Sequence, residues 1–454
     1  MTDIPRRMAG VAAVTALALV SALTLRAAPI KRVEFSDTKL KNGLRVIISE
    51  DHTAPVFAIA LNYNVGSRDE RKGRTGFAHL FEHMMFKGSE NVGPGEHPYL
   101  MFMYGGSMNG TTNKERTLYF EILPANQLDL ALFLEADRMR SLVITKEALD
   151  NQVNAVQEER RLRVDNQPYG KTFEVLDELA YENFAYEHSV IGSMADLSAA
   201  TVDDVASFFK TYYAPNNTVL SIVGDVDTKA TLEKVRKHFE AIPSQPAPPK
   251  VDIAEPAQAE ERRAVIDDPL ARLARIDMAY KVPPSSSPDD DPLEVLTTLL
   301  SSGRSSRFYE VIVRQKQLAS GSIAAFTEDS RGPALLRVIG TAAPGKTLTE
   351  LEAAIDAEIE RLKTGTIEDW EMEKARNGAR SAVIAGLGSS LQRAVQLGEN
   401  ALFYDKPDMI NTRADDIAKV TAADVQRVAQ KYLVKTGRTV VHTVPKPAAP
   451  KGGQ

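Results

Sequence analysis

Residues 201–224, TVDDVASFFKTYYAPNNTVLSIVG, read as an amphipathic helix followed closely by an apolar strand, and residues 421–444, TAADVQRVAQKYLVKTGRTVVHTV, read the same way. A chain that ends each of its halves in one pattern points to duplication, with two similar units in tandem. Working outward, Asn42-Gly43 is a hairpin signal between apolar runs, and residues 56–65, VFAIALNYNV, read as a strand. Beyond the first copy, residues 243–257, PSQPAPPKVDIAEPA, hold five prolines and little apolar periodicity, which marks a linker. After it, residues 263–282 read as strands, 292–301, 348–362 and 422–432 as helices, and 439–444 as a last strand. The organisation expected is an export segment or N-terminal anchor (1–28), a first domain (29–242), a linker (243–262), a second domain (263–445) and a disordered tail (446–454).

Composition narrows the chemistry. The 454 residues carry a net charge of −6, which gives no electrostatic reason to expect nucleic acid as a partner. The absence of cysteine removes disulfides and thiolate metal sites together, so a metal must be held by imidazole and carboxylate, and only seven histidines are available. At the N-terminus Arg6 and Arg7 precede an apolar run from Val11 to Leu25 and the small residues Ala27 and Ala28. That run is shorter than the roughly 20 residues a spanning helix needs, so export is the expectation, with a membrane contact only if the segment stays attached.

Residues 76–88, GFAHLFEHMMFKG, carry the chemistry. Thr75 is placed to cap a helix that Gly88 ends. On it His79 and His83, four apart, share a face, with Glu82 beside them. Phe77, Leu80, Phe81, Met84, Met85 and Phe86 surround them, as on a buried helix. Two imidazoles and a carboxylate buried without partners would cost several kcal/mol, which a metal removes. The bland alternative is a pair of core histidines bonded to backbone carbonyls. Catalytic zinc takes three protein ligands, so a third is needed. Residues 146–164 read as a helix with a Leu149, Val153, Val156 stripe; Glu158 points away from it and Glu159 lies on its flank. Glu159 is therefore the candidate, against the alternative of two solvated glutamates.

The His79 to His83 motif, His-x-x-Glu-His, resembles that of the pitrilysin-type metallopeptidases, the family of insulin-degrading enzyme and the mitochondrial processing peptidases. The resemblance extends through GGSMNGTTNKERTLYF, similar to the family's Gly-Gly-x-x-Asn-Ala-x-Thr segment, and through YAPNNTVLSIVGDVD. The family's third ligand is a Glu about 76 residues past the second His, a spacing that falls on Glu159. The resemblance implies an α+β fold of two similar α/β-sandwich halves, each a mostly antiparallel sheet with helices on one face, hinged around a chamber for peptides or unfolded segments. It implies one zinc per chain held by His79, His83 and Glu159, with Glu82 as general base. Asn109 matches a residue that holds substrate backbone, and the strand after it, RTLYFEI, is expected to add the peptide as an extra strand.

Two departures stand out. Gln152 replaces a supporting Glu one ligand-helix face away from Glu159. In VIVRQKQLASGS, Arg314 matches the Arg of an Arg/Tyr pair that reaches substrate, but Ser320 stands where Tyr belongs. Because family members sometimes divide this work, the expectation is a zinc-bearing subunit that dimerises, with a homologue supplying the Arg/Tyr pair. The resemblance to bacterial members makes the periplasm the expected location. Two other readings are a non-catalytic peptide-binding subunit and a structural zinc protein. The latter would need His97 or His188 as a fourth ligand, and both read as loop or surface residues.

Overall fold

Asn42-Gly43 turns the chain between β1 (Ser36–Lys39) and β2 (Arg45–Glu50), with Gly43 at a φ of +91° that side chains resist. The computed structural model describes residues 31–446, so the export segment expected at 1–28 and the tail from 447 lie outside the described residues. The first sheet is completed by β3 (Val56–Tyr63), β4 (Ser107–Thr112), β5 (Thr117–Pro124) and β6 (Thr218–Gly224), in the order β1-β2-β6-β3-β5-β4. Only β2 and β6 pair in parallel.

The second sheet holds β7 (Arg262–Asp268), β8 (Arg275–Val282), β9 (Ala324–Thr327), β10 (Ala334–Thr341) and β11 (Arg438–Pro445), in the order β7-β11-β8-β10-β9. Its one parallel pair, β7 with β11, occupies the place of β2 with β6. Strand for strand the two orders coincide once β1 is set aside, so the duplicated pattern is a duplicated fold. Between Phe239 and Arg262 lies a stretch with neither helix nor strand, where the proline-rich linker was expected.

The pleat sends alternate side chains to opposite faces. Phe57, Ile59, Leu61 and Tyr63 of β3 enter the first core beneath that half's own helices. Ala58, Ala60 and Asn62 face the other way, yet they are equally buried, because the helix Ser390–Tyr404 from the second half lies across β3 and β6. Its approach is close: a Cβ on Gly398 would stand 2.2 Å from Asn62 Nδ2 and 3.0 Å from Ser221 Oγ. The relation is reciprocal. Ile276, Met278 and Tyr280 of β8 enter the second core, while Ala279, Leu335 and Val441 face Leu176 and Ala180 of the helix Thr172–Ala180, lent by the first half. Thr172 and Thr443 hydroxyls meet at 2.8 Å across this contact. Each half thus keeps its own helices on one face of its sheet and takes a single helix from the other half on the opposite face.

Candidate metal centre

The His79 motif lies on the helix Phe77–Met84. The expected cap is not the one used. Thr75 donates its hydroxyl to Asp196 (2.6 Å), and the free N–H groups of Gly76 and Ala78 are taken by the two oxygens of Glu70, at 2.8 and 2.7 Å. A carboxylate at a helix N-terminus also complements the macrodipole. Glu70 is itself held by His188, whose Nε2 stands 3.0 Å from its Oε2. Far from being a surface residue, His188 is buried, and its Nδ1 faces the Phe184 carbonyl at 2.7 Å.

Glu159 sits near the end of the helix Lys146–Arg160, which Thr145 caps and which runs on as a π-helical turn, Arg161–Asp165. Leu149 and Val156 of its stripe are buried, leaving Glu159 on the flank as its position predicts. One oxygen, Oε2, lies 3.3 Å from His83 Nε2 and 3.6 Å from His79 Nε2; the other meets the Arg163 guanidinium at 3.0 Å. The two rings stand edge to face, with centroids 4.8 Å apart. Donors at about 2.0–2.1 Å around a tetrahedral zinc are roughly 3.3–3.5 Å apart, so this set has the spacing of zinc ligands. Burial, then the neighbouring His83, lowers His79 to about 4, which keeps its ring neutral and able to ligate. The hydrogen bond to His83 holds the Glu159 carboxyl below its usual value. His79 Nδ1 is buried without a partner.

Glu82 projects beside this set. Its Oε2 accepts a 2.6 Å hydrogen bond from the Thr112 hydroxyl, and Gly110 leaves room for it: a Cβ there would come within 2.9 Å of Oε1. Burial pushes the Glu82 carboxyl up, against the Thr112 hydroxyl that pulls it down. Both contacts come from β4, the outer strand of the sheet. That corrects one expectation: RTLYFEI is β5, whose two sides are occupied by β3 and β4, so it has no free edge for a peptide. The free edge belongs to the strand that carries Asn109.

A cavity of about 780 Å³ opens over these groups, lined by His79, Glu82, His83, Glu159, Asn109 and Thr112 among others, with Glu328 and Arg337 reaching in from the second half. Of the sequence candidates, Asn109 is therefore at the site, its Oδ1 accepting from the Gly110 N–H at 2.9 Å. Gln152 is buried on the ligand helix but donates to Asn151 (2.5 Å) rather than to Glu159. Arg314 is not brought to the cavity; it is exposed on a π-helical segment, Phe308–Gln315, and pairs with Glu310. Ser320 does not line the cavity either.

Nor does His97 supply a fourth ligand. It is buried on the helix Glu96–Met103, not in a loop, with Nε2 at 2.6 Å from Glu121 Oε1. Glu121, Glu135 and His97 form a second group with metal-capable atoms. The buried guanidinium of Arg138, paired with Glu135, supplies the cation there instead. Sequence reasoning missed Glu70, Thr112 and His188; of these, Thr112 alone had a signal, as the Thr of the Gly-Gly-x-x-Asn segment.

Comparison with known proteins agrees with this geometry. A family model described as "Insulinase (Peptidase family M16)" matches residues 45–193, and one described as "Peptidase M16 inactive domain" matches residues 199–379. The chain is 31% identical to a Helicobacter pylori protein named zinc protease PqqE, over 89% of this chain and 92% of that one. It is 27% identical to a probable mitochondrial-processing peptidase subunit beta of Arabidopsis thaliana, over 87% and 76%. The crystal structure of a protease from Helicobacter pylori superposes with a TM-score of 0.87 at 30% identity, covering 91% of this chain and all of that one.

Proposed function

The chain belongs to peptidase family M16, and from that premise we propose that it is a zinc-dependent endopeptidase that cleaves oligopeptides or unfolded protein segments. One observation carries the reading: two imidazole nitrogens stand 3.3 and 3.6 Å from a single carboxylate oxygen, with a buried carboxylate, Glu82, alongside. His79, His83 and Glu159 would hold one zinc ion per chain, with each imidazole presenting Nε2. Zinc bound there supplies a Lewis acid for the scissile carbonyl and brings the pKa of water near neutrality.

The remaining work belongs to the chain's own groups. Glu82, kept in place by Thr112, takes the proton of the attacking water and passes it to the leaving amine. The edge of β4 offers unpaired main-chain groups to an extended substrate, and Asn109 stands on that edge. Because Arg314 points away from the cavity and Ser320 replaces the Tyr, we further propose that a homologous subunit contributes the Arg/Tyr pair in a dimer; the Arabidopsis relative is named as a subunit. Arg6, Arg7 and the apolar run after them support export to the periplasm.

The test is peptide hydrolysis by the zinc-loaded protein and by Glu82→Gln, with and without a chelator, alongside metal analysis. Expected are one zinc per chain in both proteins and turnover in the wild type only, abolished by chelation. Zinc bound with no turnover in either, alone or with a homologous subunit, would instead favour a peptide-binding subunit.

A further inference from the structure

Between Asn91 and Asn113 only Glu96 bears a formal charge, in a chain where 26% of residues are charged. That one carboxylate is engaged locally, accepting from the Gly93 N–H at 2.8 Å. The helix Glu96–Met103 in this stretch is anchored from below by His97 on Glu121 and by buried Met101. Its outer face carries Tyr99 (58% exposed), Phe102 (64%) and Met103 (63%), at the i, i+3, i+4 spacing of one helical face, and Tyr104 (48%) follows. Large apolar side chains this exposed and this contiguous mark an interaction surface.

What the surface abuts identifies its occupant. Tyr104 leads through Gly105-Gly106 straight into β4. Gly106 is packed so tightly that a Cβ would meet the Ile122 carbonyl at 2.8 Å, which keeps the helix end against the start of the strand. We propose that this face docks the part of a polypeptide substrate that extends past β4, so that side chains some five to eight residues from the scissile bond are selected for apolar character. The proposal rests on the peptidase reading and on β4 as the receiving edge. Counting outward from Thr112 to Ser107, a paired chain covers about 17 Å at roughly 3.3 Å per residue before it meets Tyr104. Aromatic and Met side chains adapt to many apolar partners, as an unfolded polypeptide requires.

Other occupants fit less well. The stretch has no Lys or Arg to attract an anionic lipid surface. Four side chains fall well short of the roughly 800 Å² per partner that a stable dimer buries.

The experiment uses two fluorogenic peptides with one cleavable core, flanked on both sides by eight-residue arms rich either in Phe and Leu or in Ser and Gly. They are given to the zinc-loaded wild type and to the triple variant Tyr99→Ser, Phe102→Ser, Met103→Ser. Wild type should cleave the apolar-armed peptide with a kcat/KM about ten-fold higher, and the variant should bring that ratio to about one while leaving the polar-armed rate unchanged. If wild type cleaves neither peptide, the peptidase reading fails; anisotropy of labelled peptides on the same two proteins then reads the arm preference by itself, with the same expected loss. An arm preference kept by the variant, or absent from wild type, overturns the proposal. So would a variant that sediments as a monomer where wild type is a dimer, or one that alone fails to bind phosphatidylglycerol vesicles.

Discussion

Thr112 donates a 2.6 Å hydrogen bond to Glu82, tying the outermost strand of the first sheet to the helix that carries both histidines. The strand that would receive a peptide and the group that would move the proton are thereby fixed to each other. Thr112→Val should lower kcat about ten-fold with little change in KM or zinc content, and Thr112→Ser should restore it, as checked by steady-state kinetics and metal analysis.

Zinc binds the folded chain far better than the unfolded one, so it should stabilise. At a free zinc concentration 1,000 times the dissociation constant the gain is about 4 kcal/mol. Chelation should therefore lower the melting temperature of the wild type, while Glu159→Ala should melt low with or without chelator.

Glu115, near the start of β5, is nearly fully buried and joins the two halves. It accepts from Tyr186 (2.8 Å), Ser330 (3.0 Å), Arg331 (3.0 Å) and Arg68 (2.8 Å). Burial pushes its carboxyl up, but the Arg68 and Arg331 guanidiniums outweigh that and hold it below its ordinary 4.5. A depressed carboxyl contributes stability above its ordinary value, and that contribution is lost as pH falls towards the folded value. Glu115→Gln should cost about 3 kcal/mol at neutral pH by leaving two guanidiniums uncompensated, with the deficit shrinking below about pH 4.5 in urea titrations.

Gly398→Ala places a methyl group where Asn62 Nδ2 now stands. Overpacking of this kind costs about 1–3 kcal/mol. Because the contact is on the face of the sheet away from the histidines, the melting temperature should fall while zinc content stays at the wild-type level.

The metal set was legible because its logic is local. Four-residue spacing put His79 and His83 on one face, and helical periodicity put Glu159 on the flank of its stripe. The duplication was legible from the repeated helix and strand. Amphipathic patterning announces that residues 172–180 bury a face, but not which sheet receives it, so the exchange of helices was invisible. Strand order was equally hidden: β4 and β5 both read as strands, and only the assembled sheet makes β4 the edge. The Glu70 cap failed for the same reason, since a local Thr75 competes with a carboxylate that reaches the helix from outside it and is steadied by His188, over 100 positions away. Lone histidines mislead similarly, as His97 and His188 found carboxylate partners that nothing in their neighbourhood announces.

The exchange of helices also governs how this polypeptide can be divided. Cut at the proline-rich connection, neither fragment would be self-sufficient: the N-terminal one would bare Ala58, Ala60 and Asn62 and carry a helix with nothing to cover, and the C-terminal one would bare Ala279, Leu335 and Val441. Produced separately the two pieces should aggregate, and produced together they should reassemble. Any breathing that admits a substrate must then arise between whole chains, with each chain moving as a single body.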